Sequence, residues 1–360
     1  MIKENKNYKR SIPMTNPYNL IFGKEPLQSI PRNVQKNEII NSFLSEPCEQ
    51  QIYMITGIRG YGKTVFMTEV AKEIKKDKDW IVVELNSLQD MQQDLAANLG
   101  SENALARIFK NASINLSIFG IGLEVKDSVP ISSIQVALEK MLESLKKNHK
   151  KVLICVDEVT VTEHLKVFAS TFQILIRKDL PVFLLMTGLY ENINNLQNDK
   201  SLTFLYRAPK IELRPLNTGN IAENYKEIFD VDSDTANKMA ALTKGYSFAF
   251  QVLGHFTFKM DGDYKKALPL VRNYLEDYVY EKVVSEMSSG DRKFAYGVAK
   301  SKNGKAKDIK DLTSMADNEY SVYRNRLVKR GVLDGSEHGY VRFTLPMFEE
   351  YIIRIMEYEV

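Results

Sequence analysis

The segment Gly57-Ile-Arg-Gly-Tyr-Gly-Lys-Thr64 constrains this chain more than any other stretch. It has the form G-x-x-x-x-G-K-[ST], follows an apolar run from Gln51 to Thr56, and precedes Val65, Phe66, Val70 and Ile74 at close to helical spacing. A buried strand that turns through glycines into a helix is the context in which this pattern turns backbone N–H groups around phosphate oxygens. Gly57, Gly60 and Gly62 allow backbone angles closed to other residues, and the helix opening near Lys63 adds the positive end of its dipole. The spacing therefore assigns Gly57, Ile58, Arg59, Gly60, Tyr61, Gly62, Lys63, Thr64 and Val65 to the phosphates of ATP or ADP. Lys63 is expected at the β- and γ-phosphates and the Thr64 hydroxyl at Mg²⁺.

A second signal is Val152-Leu-Ile-Cys-Val-Asp157-Glu158, an apolar strand that delivers two acids at its carboxyl end, where open α/β sheets hold their ligands. Asp157 is expected to hold the metal and Glu158 to act as general base toward an attacking water. Apolar runs at Ile81 to Leu85 and Val182 to Met186, the latter ending in Thr187 and Gly188, predict two more buried strands. Helical spacing is read over Asn37 to Leu44, Thr64 to Lys75, Ile134 to Lys147 and Glu163 to Ile176. The beat predicts an α/β fold, a P-loop-type parallel sheet with helices on both faces. Before it, residues 1–31 read as an extended arm with four prolines. Alternation at Ile114, Leu116, Ile118, Ile121, Leu123 and Val125 around Gly120 predicts a hairpin inserted within 111–127.

After Lys210-Ile-Glu-Leu-Arg-Pro215 the strand signals stop. Helices are expected over Thr218 to Phe229, Ser233 to Thr243 and Ser247 to Met260, which read as a helical lid. From about Tyr278 the order is three helices and then strands near Gly331 to Leu333 and Tyr340 to Thr344, the pattern of a winged helix. The expected division is 1–214, 215–276 and 277–360.

Composition narrows the function classes. Among 360 residues, 49 Lys plus Arg stand against 46 Asp plus Glu, so a nucleic-acid site would have to be a local patch. Two distant cysteines and four histidines without ligand spacing argue against a disulfide scaffold and against structural zinc. No run of 18 apolar residues offers a membrane span, and an amino terminus without an apolar leader makes the cytoplasm the expected location.

With both motifs in place, the chain resembles the AAA+ ATPases, especially bacterial and archaeal ATPases similar to origin-recognition initiators with a C-terminal winged helix. The signal-transducing STAND NTPases are related by the same marks. The resemblance implies that Thr187 in Leu184-Leu-Met-Thr-Gly188 senses the γ-phosphate, and that Arg207 in Phe204-Leu-Tyr-Arg207 is a finger completing a neighbouring copy's site. It places Arg32 near adenine, although Pro31 replaces the glycine that often precedes it. In the lid motif, Leu242 to Gln251, Phe248 and Ala249 stand where relatives often carry a sensing arginine.

The helix Glu319 to Arg330 would be the recognition helix, with Arg324, Arg326, Lys329 and Arg330 available to duplex DNA. The alternative is a winged helix that packs or binds protein, including a second copy. Two functions follow: an ATPase coupling turnover to conformational change, or a slow nucleotide-dependent switch with little hydrolysis of its own.

Overall fold

The computed structural model describes residues 15–21, 23–124 and 128–358. Helix α1 (Asn33–Leu44) leads into β1 (Ile52–Thr56), the phosphate-loop candidate and α2 (Lys63–Ile74). There follow β2 (Trp80–Leu85), α3 (Met91–Ser101), α4 (Asn103–Asn111), α5 (Ile134–Lys147), β3 (Lys151–Val156), α6 (Glu163–Arg177), β4 (Val182–Gly188), α7 (Tyr190–Asn198) and β5 (Lys210–Glu212).

The five strands form one parallel sheet in the order β2-β3-β4-β1-β5. Consecutive β1 and β2 therefore do not pair; β4 and β3 lie between them. This order brings the ends of β1, β4 and β3 side by side, and the crevice outside those carboxyl ends is the place for a ligand.

Alternation along each strand divides the sheet into two faces. Met54, Ile154, Val156, Leu184 and Met186 pack with α3 to α7 on one face. Tyr53, Ile55, Leu153, Cys155, Phe183 and Leu185 face α1 and α2 on the other. That second core continues without a break into the carboxyl-terminal helices, through Tyr225, Phe250, Tyr280, Phe294 and Phe348.

Those helices are α8 (Thr218–Phe229), α9 (Ser233–Thr243), α10 (Ser247–Lys259) and α11 (Tyr264–Leu275). A π-helical turn at Glu276–Tyr280 joins α11 to α12 (Glu281–Ser285). Next come α13 (Ser289–Lys300), α14 (Ala306–Thr313), α15 (Asp317–Lys329), β6 (Leu333–Asp334), β7 (Arg342–Phe343) and α16 (Phe348–Tyr358). β6 and β7 pair antiparallel, and Lys305 bridges Tyr340 beside them.

The expected hairpin does not form. Asn111 ends α4, Ser117–Phe119 is a single 3₁₀ turn, and no described residue from 112 to 124 belongs to a strand. Ile114, Leu116 and Leu123 are buried against the α3 to α7 core, so the alternating apolar residues fasten a loop to that core. Val125 and Asp127, like residues 1–14 of the expected arm, lie outside the described residues.

Candidate nucleotide-binding site

The phosphate-loop candidate leaves the carboxyl end of β1, between β4 and β5. Gly60 and Gly62 take left-handed backbone angles, φ 82° and 80°, which an L side chain adopts only with strain. Gly60 has a packing reason as well: a Cβ there would stand 2.0 Å from the Tyr246 hydroxyl oxygen. Gly62 precedes α2 and no side chain caps that helix, so its first N–H groups are left for a ligand.

The start of α2 and the ends of β3 and β4 supply the polar cluster. The Thr64 hydroxyl donates to Asp157 Oδ2 at 2.7 Å, and the Thr187 hydroxyl donates to Asp157 Oδ1. The Glu158 amide donates to Asp157 Oδ1 at 3.0 Å and to Thr187 Oγ1 at 3.2 Å. Glu158 itself has φ 48°, a left-handed angle for a residue with a side chain, and strain of this kind collects at functional sites. Its backbone is pinned while its side chain is exposed and lines the cleft.

Lys63 is held differently. Its ammonium donates to the carbonyls of Gly57 at 3.0 Å and Ile58 at 3.2 Å, with no ion-pair partner among the described residues. Burial and then the Arg59 charge press its pKa down to about 8, against the opposing pull of Glu158 and Asp157. A half-buried cation with no carboxylate in ion-pair contact is what a phosphate chain would relieve.

A cleft of about 870 Å³ joins these groups to the amino-terminal end of α10. Leu20, Ile30, Phe66, Leu216 and Phe250 are among its lining and give apolar surface fit for a base. Arg32 lines it too, but its guanidinium donates to Arg214 O at 2.6 Å, Tyr61 O at 3.3 Å and Ser247 Oγ at 3.2 Å, so it braces three segments. Burial lowers its pKa.

A hard cation fits the oxygen donors Thr64 and Asp157, one hydroxyl and one carboxylate 2.7 Å apart, with phosphate oxygens and water to complete the shell. No cluster of three His, Cys, Asp or Glu suited to a metal occurs among the described residues.

The fold does not bring Arg207 to this site. It is exposed at the end of the short Thr203–Arg207 turn, three residues before β5. β5 runs parallel to β1 with Glu212 beside Thr56, so Arg207 lies toward the opposite edge of the sheet.

Three of the four cations expected to face DNA, on α15 and at its end, have partners within the chain. The Arg324 guanidinium donates to Gly335 O at 2.8 Å. Arg326 donates to Asp291 Oδ1, which is 2% exposed, at 2.7 Å, and to Ser288 Oγ at 2.9 Å. Arg330, 11% exposed in its side chain, donates to Glu286 O at 3.1 Å and stands 3.5 Å from Glu191. Of the four, Lys329 remains exposed. Arg324 and Arg326 tie parts of the carboxyl-terminal segment together, while Arg330 also reaches across to Glu191 on α7.

Sequence reading missed the groups that reach the loop from the carboxyl-terminal half. The Tyr246 hydroxyl donates to Arg59 O at 2.8 Å, Phe248 N to Gly60 O at 3.0 Å and Ser247 Oγ to Tyr61 O at 3.3 Å. Glu286 and Lys282 also line the cleft. Nothing in local spacing marks residues about 190 positions away as neighbours of a loop.

A glycine-turned loop after an inner strand, with an acid pair two strands away and a polar strand end between, is the architecture of the P-loop ATPases. Residues 38–201 match the model of an ATPase domain predominantly from Archaea, and residues 277–352 match that of a domain of unknown function. The fold is similar to that of the Walker-type ATPase PABY2304 of Pyrococcus abyssi, with 15% identity, 91% of this chain and 96% of that one covered, and a TM-score of 0.61. It is equally similar to the Aeropyrum pernix ORC2 protein, solved in ADPNP-ADP complexes, with 12% identity, 94% and 96% covered, and a TM-score of 0.61. No curated protein matches the sequence. The resemblance to origin-recognition-like ATPases read from the sequence is thus borne out, and at these identities the structural likeness speaks for the fold.

Proposed function

We propose that this chain binds MgATP between the phosphate loop and the lid, hydrolyses it, and passes the nucleotide state to its carboxyl-terminal unit. The observation that carries the reading is the Thr64–Asp157–Thr187 cluster beside a lysine that lacks a counter-charge. Lys63 would hold the β- and γ-phosphates, with Thr64 and Asp157 holding magnesium, which when bound neutralises charge on the phosphate oxygens. Glu158 would take the proton of the water that attacks the γ-phosphorus as the bond to the β–γ bridging oxygen breaks. Thr187 would orient that water or a γ-phosphate oxygen, and Arg207 would act on a neighbouring copy's nucleotide. Segments 1–214, 215–276 and 277–360 would serve as motor, lid and responding unit.

Binding and turnover test this together. Calorimetry should detect magnesium-dependent binding of ATP and ADP, and Glu158→Gln should retain that binding while lowering turnover by roughly 10²- to 10⁴-fold. Undiminished turnover in that variant would remove Glu158 from its role.

The slow-switch reading gains support from the lid: Tyr246 and Phe248 already bind the loop's carbonyls, and no arginine stands at Phe248 or Ala249. Steady-state turnover with and without duplex DNA, and mass with and without ATP, separate the two. For the carboxyl-terminal unit we propose a packing and protein-binding role, because three of the four α15 cations already have partners within the chain.

A further inference from the structure

The phosphate loop carries a second cation besides Lys63. Arg59 lines the same cleft, and its charge is felt at the Lys63 ammonium. Two cations in one partly buried pocket repel each other, so their closeness calls for an anion. Part of the Arg59 head is unprovided for: its Nε is buried with no hydrogen-bond partner.

What Arg59 has at present is a distant carboxylate. Arg59 Nη2 stands 3.7 Å from Glu286 Oε1, just beyond α12 and more than 200 residues away in the chain. That carboxylate is shared. Lys282 Nζ stands 3.7 Å from the same oxygen, and Arg330 Nη2 stands 3.6 Å from the other. Arg330 continues the chain of charges to Glu191 on α7, at 3.5 Å. All four distances exceed the roughly 2.7 to 2.9 Å of a tight charge-assisted bond. One carboxylate thus balances three cations loosely, an arrangement a stronger anion can rearrange.

The surroundings tie this exchange to the fold. Gly331, next to Arg330, rests on the loop, where a Cβ would stand 3.6 Å from Ile58 Cβ. Tyr61 and Thr344, just after β7, line one cavity. The carboxyl-terminal unit therefore sits directly on the tip of the phosphate loop, with Arg59 and Glu286 as a charged contact across that junction.

We propose that Arg59 reads the γ-phosphate, and that Glu286 is the carboxylate it leaves when it does so, so that a triphosphate loosens the carboxyl-terminal unit from the phosphate loop. This rests on the MgATP reading and adds the residue pair that distinguishes ATP from ADP. A terminal phosphate would draw the Arg59 guanidinium inward and repel the Glu286 carboxylate by like charge. The Arg330 to Glu191 pair would remain as the second hold.

The test compares affinities of the full chain for ADP and for a non-hydrolysable ATP analogue. Arg59→Ala should weaken the ATP analogue about 10- to 100-fold, the effect of losing one charge-assisted contact, while ADP changes by less than about threefold. Arg59→Lys should recover part of the loss and guards against a folding defect. Glu286→Gln, by freeing Arg59, should tighten the ATP analogue and abolish the nucleotide-dependent change in proteolysis of the 276–289 connector. Equal losses for both nucleotides in Arg59→Ala, or an unchanged analogue affinity in Glu286→Gln, would overturn the proposal and leave the MgATP reading standing. A wild-type chain that binds neither nucleotide would overturn both.

Discussion

Lys63 in the phosphate loop and Arg326 on α15 are both cations, and both were expected to face phosphates. The structure treats them in opposite ways. Arg326 meets a carboxylate buried to 2% exposure, which in turn accepts from the amide and hydroxyl of Ser288. Lys63 meets two carbonyl oxygens, and burial depresses its pKa. A satisfied cation stabilises its own unit; an unsatisfied one, held at an energetic cost, marks the place where a ligand completes the balance.

The sharpest way to break this contrast is to remove Lys63. Lys63→Ala should weaken ATP by about 100- to 1,000-fold, the scale for truncating one member of a partly buried charge pair. Its unfolding temperature should hold or rise, since the lysine is unfavourably buried; a marked fall would mean that Lys63 is structural. Arg326→Ala should do the reverse and lower stability by about 2 kcal/mol, read from a denaturant melt, because Asp291 would stay buried with less support. ATP affinity in that variant should be unchanged.

Acidity sharpens the same comparison more gently. The free-state pKa of Lys63 is about 8, and bound phosphates would raise it. Affinity should therefore be level below pH 8 and fall by up to about tenfold per pH unit above it, with proton uptake on binding. In the nucleotide-free protein the depressed pKa has the opposite sign for folding: the Lys63 contribution to stability rises between pH 8 and 10.5 as the native state sheds a proton that the unfolded chain keeps. Smallest of all is Lys329→Ala. It should shift stability by no more than about 0.5 kcal/mol, and anisotropy of a labelled duplex should report no salt-dependent loss of binding.

What could be read from the sequence follows from how local each feature is. The phosphate loop, the acids after β3 and Thr187 at the end of β4 announce themselves because an apolar run delivers each to a turn. The register that joins them, with β4 between β1 and β3, is a tertiary fact. Helix α3 escaped notice because its inward residues, Met91, Leu95, Ala96 and Leu99, are diluted by Gln, Asn and Asp, although Asp90 caps it by accepting from Gln92 N and Gln93 N. The false hairpin arose because period-two alternation is shared by strands and by loops that fasten every second side chain to a core. The Arg59, Glu286, Arg330 and Glu191 contacts could not be anticipated, since no spacing rule links residues 59, 191, 286 and 330.

The unbroken apolar layer from Tyr53 and Phe183 through Tyr225 and Phe250 to Tyr280 and Phe348 bears on how such a protein can diversify. A tail that shares its foundation with the parallel sheet is not a cassette to be exchanged at will. A replacement would have to arrive with a matching underside, and this confines inherited variation to the outward faces of the last helices.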